Sequence, residues 1–170
     1  MSKKLCVAAL VVALAATPAL AAESLRVETS KNCAFTITLR PDLAPKHVAQ
    51  ITKLAGAGFY DGIVFHRVID GFMAQTGDPT GTGMGGSNEP NLEAEFTKER
   101  FVRGTVGMAR SQDPNSGNSQ FFVMFADGGF LDGQYTVWGN VDEEGMKCVD
   151  QIEKGEPPAN PDKMTKVTVQ

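Results

Sequence analysis

The sequence predicts a mainly β fold, an antiparallel barrel or sandwich with two helices, and three observations predict it. Cys33, Phe35, Ile37 and Leu39 alternate with Ala34, Thr36, Thr38 and Arg40, which is the period of a half-buried strand. Further β-rich runs at 63–69, 72–75, 104–109, 120–125 and 136–141 are short and lie between glycine and proline breaks. Only two segments have helical spacing, which excludes a doubly wound α/β sheet, whose helices must alternate with its strands. Pattern alone does not separate barrel from sandwich.

The elements follow in order. Residues 25–29 form a strand that pairs with the alternating run through the turn Ser30-Lys31-Asn32. Val48, Ile51, Leu54 and Ala55 make one apolar face of a helix over 45–56, opened by Pro45 and ended at Gly56 and Gly58. His47 falls opposite Val48 and Ile51 and is expected to be solvated. Glu93 and Glu95, on either side of Ala94, are expected at a solvated strand edge. Met146, Val149 and Ile152 recur at three-residue steps and predict a second helix over 143–154. The alternating run 165–169 closes the sheet against the first strand, and Trp138 is expected in the core or wall. No repeat, linker or second domain is evident.

Residues 1–21 predict a cleaved signal peptide. Lys3-Lys4 precede the apolar run 5–16, and Ala19-Leu20-Ala21 puts small residues where signal peptidase inspects, so cleavage is expected after Ala21. That run falls short of the about 20 residues needed to span a bilayer. Cys6 lies too near the start for a lipoprotein cysteine, so no membrane anchor is expected. The remaining domain, 22–170, is predicted to be periplasmic. Losing residues 1–21 removes two lysines and no acid, moving the net charge from −4 to −6. No Lys/Arg cluster is left to neutralise phosphates, which excludes nucleic acid and anionic membrane as partners. With 42% apolar residues the chain can bury one substantial core. Cys33 and Cys148 remain in a disulfide-permissive compartment, yet random pairs rarely bring Cα atoms within about 7 Å, so two buried thiols are expected rather than a bridge.

Several motifs fail on context. Gly81-Thr82-Gly83-Met84-Gly85-Gly86 satisfies G-x-G-x-x-G, but Asp78-Pro79 precede it and Ser87-Asn88-Glu89-Pro90 follow, where a dinucleotide site needs a strand and a helix. It is expected to be a surface loop. His47, His66 and the separated cysteines provide no zinc spacing, no nucleophile elbow occurs, and no cofactor is expected. His66 is expected to pack and to hydrogen-bond a neighbouring loop.

Arg67 taken alone reads as a surface ion-pair partner. Its company changes that reading. The run Phe65-His66-Arg67-Val68-Ile69-Asp70-Gly71-Phe72-Met73-Ala74-Gln75 and the later Gly117-Asn118-Ser119-Gln120-Phe121-Phe122-Val123 together resemble the signature of the cyclophilins, the cyclosporin-binding family of peptidyl-prolyl isomerases. The resemblance implies a closed eight-stranded antiparallel β-barrel capped by two α-helices. It implies a peptidyl-prolyl cis-trans isomerase with Arg67 as catalytic donor and Phe72, Met73, Phe122 and Leu131 as an apolar slot for the proline ring. Gln75 and the main chain at Ala109 and Arg110 would bind the substrate backbone, Gln120 would orient the wall, and the glycine-rich loop would border the groove. Two positions depart from the familiar eukaryotic pattern: Phe130 replaces a tryptophan, and Tyr135 replaces a histidine that lines the proline pocket. Weak cyclosporin binding is therefore expected. The implied partners are unfolded or partly folded chains with Xaa-Pro bonds, met as a monomer. A proline-binding chaperone with incidental turnover is the alternative.

Overall fold

The structure, a computed structural model, describes residues 24–170. The predicted signal peptide lies outside the described residues. Among the described residues, eight strands and two helices run in the order β1 (Ser24–Thr29), β2 (Ala34–Leu39), α1 (Pro45–Gly56), β3 (Arg67–Ile69), β4 (Met73–Thr76), β5 (Thr105–Met108), β6 (Phe121–Met124), β7 (Val137–Val141), α2 (Glu143–Val149) and β8 (Met164–Val169). A 3-10 turn spans Gly129–Leu131. No helix among the described residues is long and apolar enough to cross a membrane.

All strands join one antiparallel sheet in the order β3-β4-β6-β5-β7-β2-β1-β8. The strand count, the pairing sense and the two helices match expectation, but closure does not. The sheet curls into an open half-barrel whose edges, β3 and β8, share no ladder. Only the isolated bridge Val64↔Lys163 and hydrogen bonds such as Phe65 N–H to Asp162 O (2.8 Å) span that gap. Closure would need a long strand through 63–69, whereas the regular stretch there is three residues.

Alternation sorts side chains as the sequence predicts. In β1 and β2, Leu25, Val27, Phe35, Ile37 and Leu39 point inward, while Arg26, Glu28, Thr36 and Thr38 face water. Burying each such apolar side chain stabilises the fold by roughly 1.5–3 kcal/mol. Trp138 is fully buried and meets Phe121 edge to face at 5.3 Å. β5 and β6 are buried at every residue because each face meets apolar side chains. One face belongs to the main core. The other carries a second cluster of Met73, Phe101, Phe122, Met124, Leu131 and Val137.

Four further expectations are corrected. His47 is buried, not solvated, and Glu95 is not an idle strand edge. α1 has Ala44 before its first turn and no capping side chain of its own. Glu95 arrives from 48 residues away to accept the amides of Lys46 (3.1 Å) and His47 (3.0 Å), satisfying orphan donors, and also contacts His47 Nδ1 at 2.6 Å. Burial pushes the His47 pKa down against the pull of Glu95. Glu93 stays exposed and pairs with Lys46. Cys33 and Cys148 are bonded, with Cα atoms 5.8 Å apart, because α2 packs on β2 and brings its last turn over the start of that strand. α2 also stops at Val149, not at 154. The chain then tightens into i→i−3 bonds from Gln151 and Ile152, which keep Ile152 in the core.

Candidate active site

The β3–β4 hairpin turns at Asp70-Gly71, where Gly71 adopts φ 68°, a conformation that disfavours side chains. Its register sets Arg67 opposite Gln75 and Ile69 opposite Met73. β4 in turn sets Gln75 opposite Phe122, and Phe122 stands opposite Gly107 on β5. Arg67, Gln75, Phe122 and Gly107 thus form one row across four strands on the face away from the main core, since cross-strand partners share a side of the sheet. Their neighbours Val68, Ala74, Val123 and Val106 form the parallel row that faces the core. Gly107 was not legible as a site position. A Cβ there would come within 2.5 Å of Phe122 Cζ and 2.6 Å of Phe101 Cε1, so its bareness lets those two rings stack at 5.8 Å beneath the cavity.

Above this row lies a cavity of about 810 Å³. It brings together Arg67, Phe72, Met73, Gln75, Ala109, Arg110, Phe122, Leu131 and Tyr135, leaving Gln120 of the predicted site residues just outside its wall. Met73, Phe122 and Leu131 are buried, and Tyr135 meets Phe122 edge to face at 5.8 Å. This apolar floor sits beside polar groups. Gln75 Nε2 donates to Gln120 Oε1 (2.9 Å), while Gln120 Nε2 donates to the carbonyls of Gly83 (3.0 Å) and Gly85 (2.8 Å). Gln120 therefore ties the glycine-rich loop to the sheet.

That loop borders the cavity and is organised by Asp78. The buried Asp78 carboxylate accepts the amides of Thr80, Thr82, Gly83 and Gly85 and the Thr80 hydroxyl. Burial pushes this carboxyl up, but the bonds from Thr80, Gly85 and Gly83 overcome it and bring the pKa to about 2. A depressed carboxyl pKa stabilises the fold above the unfolded value and loses that contribution as pH falls through the folded one. Asp78 is thus expected to contribute up to about 2 kcal/mol near neutrality, lost on acidification from about pH 4 to about pH 2. Urea melts across that range should show a shallower acid decline for Asp78→Asn; identical declines would remove Asp78 as the cause.

Arg67 is half-exposed on the cavity wall, and its Nε donates to Glu156 Oε2 at 2.8 Å. The surface ion pair suggested by base rate and the place in the cavity therefore coexist. The terminal nitrogens of Arg67 have no hydrogen-bond partner among the described residues. Glu156 and Pro157, which also line the cavity, were missed by sequence reasoning. Gly155 exchanges backbone hydrogen bonds with Val68 (2.8 Å each way), which places Glu156 beside Arg67 across 89 residues of chain. No local signal announces such a contact. Phe130 is 67% exposed on the rim and packs on Phe72 at 5.4 Å. His66 is packed, as expected, against Gly83 of the loop, but neither ring nitrogen finds a hydrogen-bond partner among the described residues, which corrects the expected bond. Burial lowers its pKa.

A family model described as cyclophilin type peptidyl-prolyl cis-trans isomerase/CLD matches residues 24–169. A probable peptidyl-prolyl cis-trans isomerase of Brucella suis is 59% identical over 150 residues, covering 79% of this chain and 76% of the relative. The mouse peptidyl-prolyl cis-trans isomerase-like 3 is 44% identical over 114 residues, covering 65% and 70%. Among solved structures, a cyclophilin from Hirschia baltica superposes with TM-score 0.77 at 31% identity, covering 85% of this chain and 73% of the other. A cyclophilin-type isomerase of Cryptosporidium parvum, crystallised in the presence of the dipeptide Ala-Pro, gives 0.78 at 27%, covering 86% and 98%.

Proposed function

This chain belongs to the cyclophilin-type peptidyl-prolyl cis-trans isomerases, and from that premise we propose that the cavity around Arg67 is where it turns Xaa-Pro bonds, and that its substrates are exported polypeptides still folding. The observation that carries the site assignment is the row Arg67–Gln75–Phe122, which sets one permanent cation beside an amide and over an apolar floor.

Rotation about an Xaa-Pro bond faces a barrier of about 18–20 kcal/mol set by amide resonance. No covalent step is needed; the site has only to favour the twisted amide, whose prolyl nitrogen has recovered its lone pair. Phe72, Met73, Phe122, Leu131 and Tyr135 clamp the proline ring. Gln75, itself held by Gln120, and the main chain of Ala109 and Arg110 hold the acyl side. Arg67 donates to the developing lone pair. A guanidinium suits that role because it stays charged at every working pH and offers rigid donors. Glu156 engages Nε alone, which leaves the terminal nitrogens for substrate. Two-dimensional exchange NMR on an Xaa-Pro peptide tests this: folded protein that leaves the cis/trans exchange rate at the buffer value would end the reading.

Residues 1–21 act as a signal peptide and 22–170 as the isomerase domain of a periplasmic monomer. Support comes from Lys3-Lys4, the apolar run and Ala19-Leu20-Ala21, and from the Cys33–Cys148 disulfide, since such bonds persist in oxidising compartments. Sequencing the N-terminus of the protein from its host should find cleavage after Ala21. Cyclosporin is expected to bind weakly, because Phe130 has no N–H to donate where the family's eukaryotic members have an indole. Titration calorimetry should give a dissociation constant well above nanomolar, and a nanomolar value would contradict the assignment of Phe130.

A further inference from the structure

Arginine charge in the described chain is compensated at every position but one. Arg26 pairs with Glu28 (3.5 Å), Arg40 with Asp42 (2.8 Å), Arg67 with Glu156 (2.8 Å), Arg100 with Asp127 (3.1 Å) and Arg103 with Asp150 (2.8 Å). Arg110 alone among the described arginines forms no ion pair, in a protein with more acids than bases. It is nonetheless held in place. Its Nε and Nη2 donate to Gln134 O (3.3 and 3.0 Å), Nη1 donates to Ser111 O (2.9 Å), and the guanidinium lies over the Tyr135 ring at 4.4 Å. Main-chain carbonyls and a ring face fix the group without cancelling its charge. Of its five N–H donors, three are engaged and two are free.

Its position gives that charge a use. Arg110 lines the proline cavity and also a second cavity of about 440 Å³ alongside. The second cavity is walled by Ser87, Asn91, Ser111, Ser116, Asn118 and Gln120, which are hydroxyls and amides, and no carboxylate or other cation among the described residues lines it. Arg67, the other arginine that lines the proline cavity, already has its counter-ion in Glu156. The groove therefore presents one uncompensated, preorganised cation on the rim between its two hollows.

We infer that Arg110 sets substrate preference: the enzyme favours Xaa-Pro segments with an aspartate or glutamate a few residues from the proline, whose carboxylate is received by the free edge of the Arg110 guanidinium. This rests on the isomerase reading above and deepens it. A guanidinium donates two parallel hydrogen bonds to a carboxylate in one plane, and one already immobilised loses little rotamer freedom on doing so. An extended chain advances about 3.3 Å per residue, so side chains two or three positions from the proline lie roughly 7–10 Å along the groove, and Arg110 lines both of the hollows that such a segment would cross. For a partly solvated pair the expected preference is about five- to tenfold.

The test is exchange NMR on two peptide series with Glu, Gln or Lys placed two or three residues before the proline in one and after it in the other. In one series, at low salt, Glu should exceed Lys by about tenfold in kcat/KM. That ratio should fall towards one at about 1 M salt, where the screening length is about 3 Å. In Arg110→Gln the Glu-to-Lys ratio should also collapse; the ratio is read within each protein, so a change in overall rate does not confuse it. Should that variant not fold, the salt series on wild type decides alone. Glu, Gln and Lys peptides turned over within twofold of each other in both series would overturn the assignment while leaving the isomerase reading intact, and so would a preference that survives in Arg110→Gln. If no peptide is accelerated at all, the isomerase reading fails and takes this inference with it.

Discussion

Replacing Arg67 by alanine is expected to lower kcat/KM for Xaa-Pro exchange by two to three decades in a protein that stays folded. Removing one preorganised donor aimed at developing charge costs about 2.7–4 kcal/mol of transition-state stabilisation, at about 1.36 kcal/mol per decade. Stability should hardly change. Arg67 is half-exposed and its ion pair with Glu156 is of the surface type worth about 0–1 kcal/mol. The apolar floor of Met73, Phe122 and Leu131 belongs to a buried cluster that does not depend on the charge. Peptide affinity should therefore survive while kcat falls, which separates a donor to the transition state from a binding residue. Arg67→Lys is expected to remain about tenfold or more below wild type, because an ammonium cannot hold Glu156 and present a second rigid donor together. Exchange NMR alongside a thermal melt measures both quantities. A folded Arg67→Ala that works at the wild-type rate would make another group responsible for the chemistry.

Reducing the disulfide is expected to cost about 2–5 kcal/mol of stability without touching turnover by the folded protein. Cys33 and Cys148 close a loop with a sequence separation of 115, and the chain-entropy account gives about 4.7 kcal/mol for a loop of about 100 residues. Native contacts around the pair then moderate the loss, since α2 also packs through Met146 and Val149. For a domain of this size the melting temperature should drop by roughly 2–4 °C per kcal/mol. Neither cysteine lines the cavity, so kcat/KM below the melting transition should be unchanged. Urea melts with and without reductant give the measurement, with the double variant Cys33→Ala/Cys148→Ala as a control insensitive to reductant. Superimposable wild-type curves, with thiols shown to be reduced, would show that the bridge contributes nothing.

Much of the candidate site was readable from the chain because the residues that meet at the cavity are local to two motifs. Arg67, Phe72, Met73 and Gln75 lie within one hairpin, and Gln120 and Phe122 within one strand and its approach. Once β4 pairs with β6, the period of the strands decides which of them share a face. The contacts that escaped join residues far apart in sequence. Glu95 caps α1 across 48 residues, Glu156 meets Arg67 across 89, and Cys33 reaches Cys148 across 115. Gly107 escaped for a different reason: its role is the space it leaves for Phe101 and Phe122.

The sequence by itself determined the mainly β class, the two helices, the inward and outward faces of β1 and β2, and the hairpin that presents Arg67. These follow from spacing within a few residues, where side-chain period and turn chemistry act locally. Only the tertiary structure decided that the half-barrel stays open between β3 and β8, that His47 is buried under a borrowed cap, and that the two thiols are joined. It also decided which arginine in the groove keeps its charge uncompensated. Those outcomes depend on which distant segments come to lie within a few ångströms, and that is settled by the packing of the whole sheet rather than by any single stretch of chain.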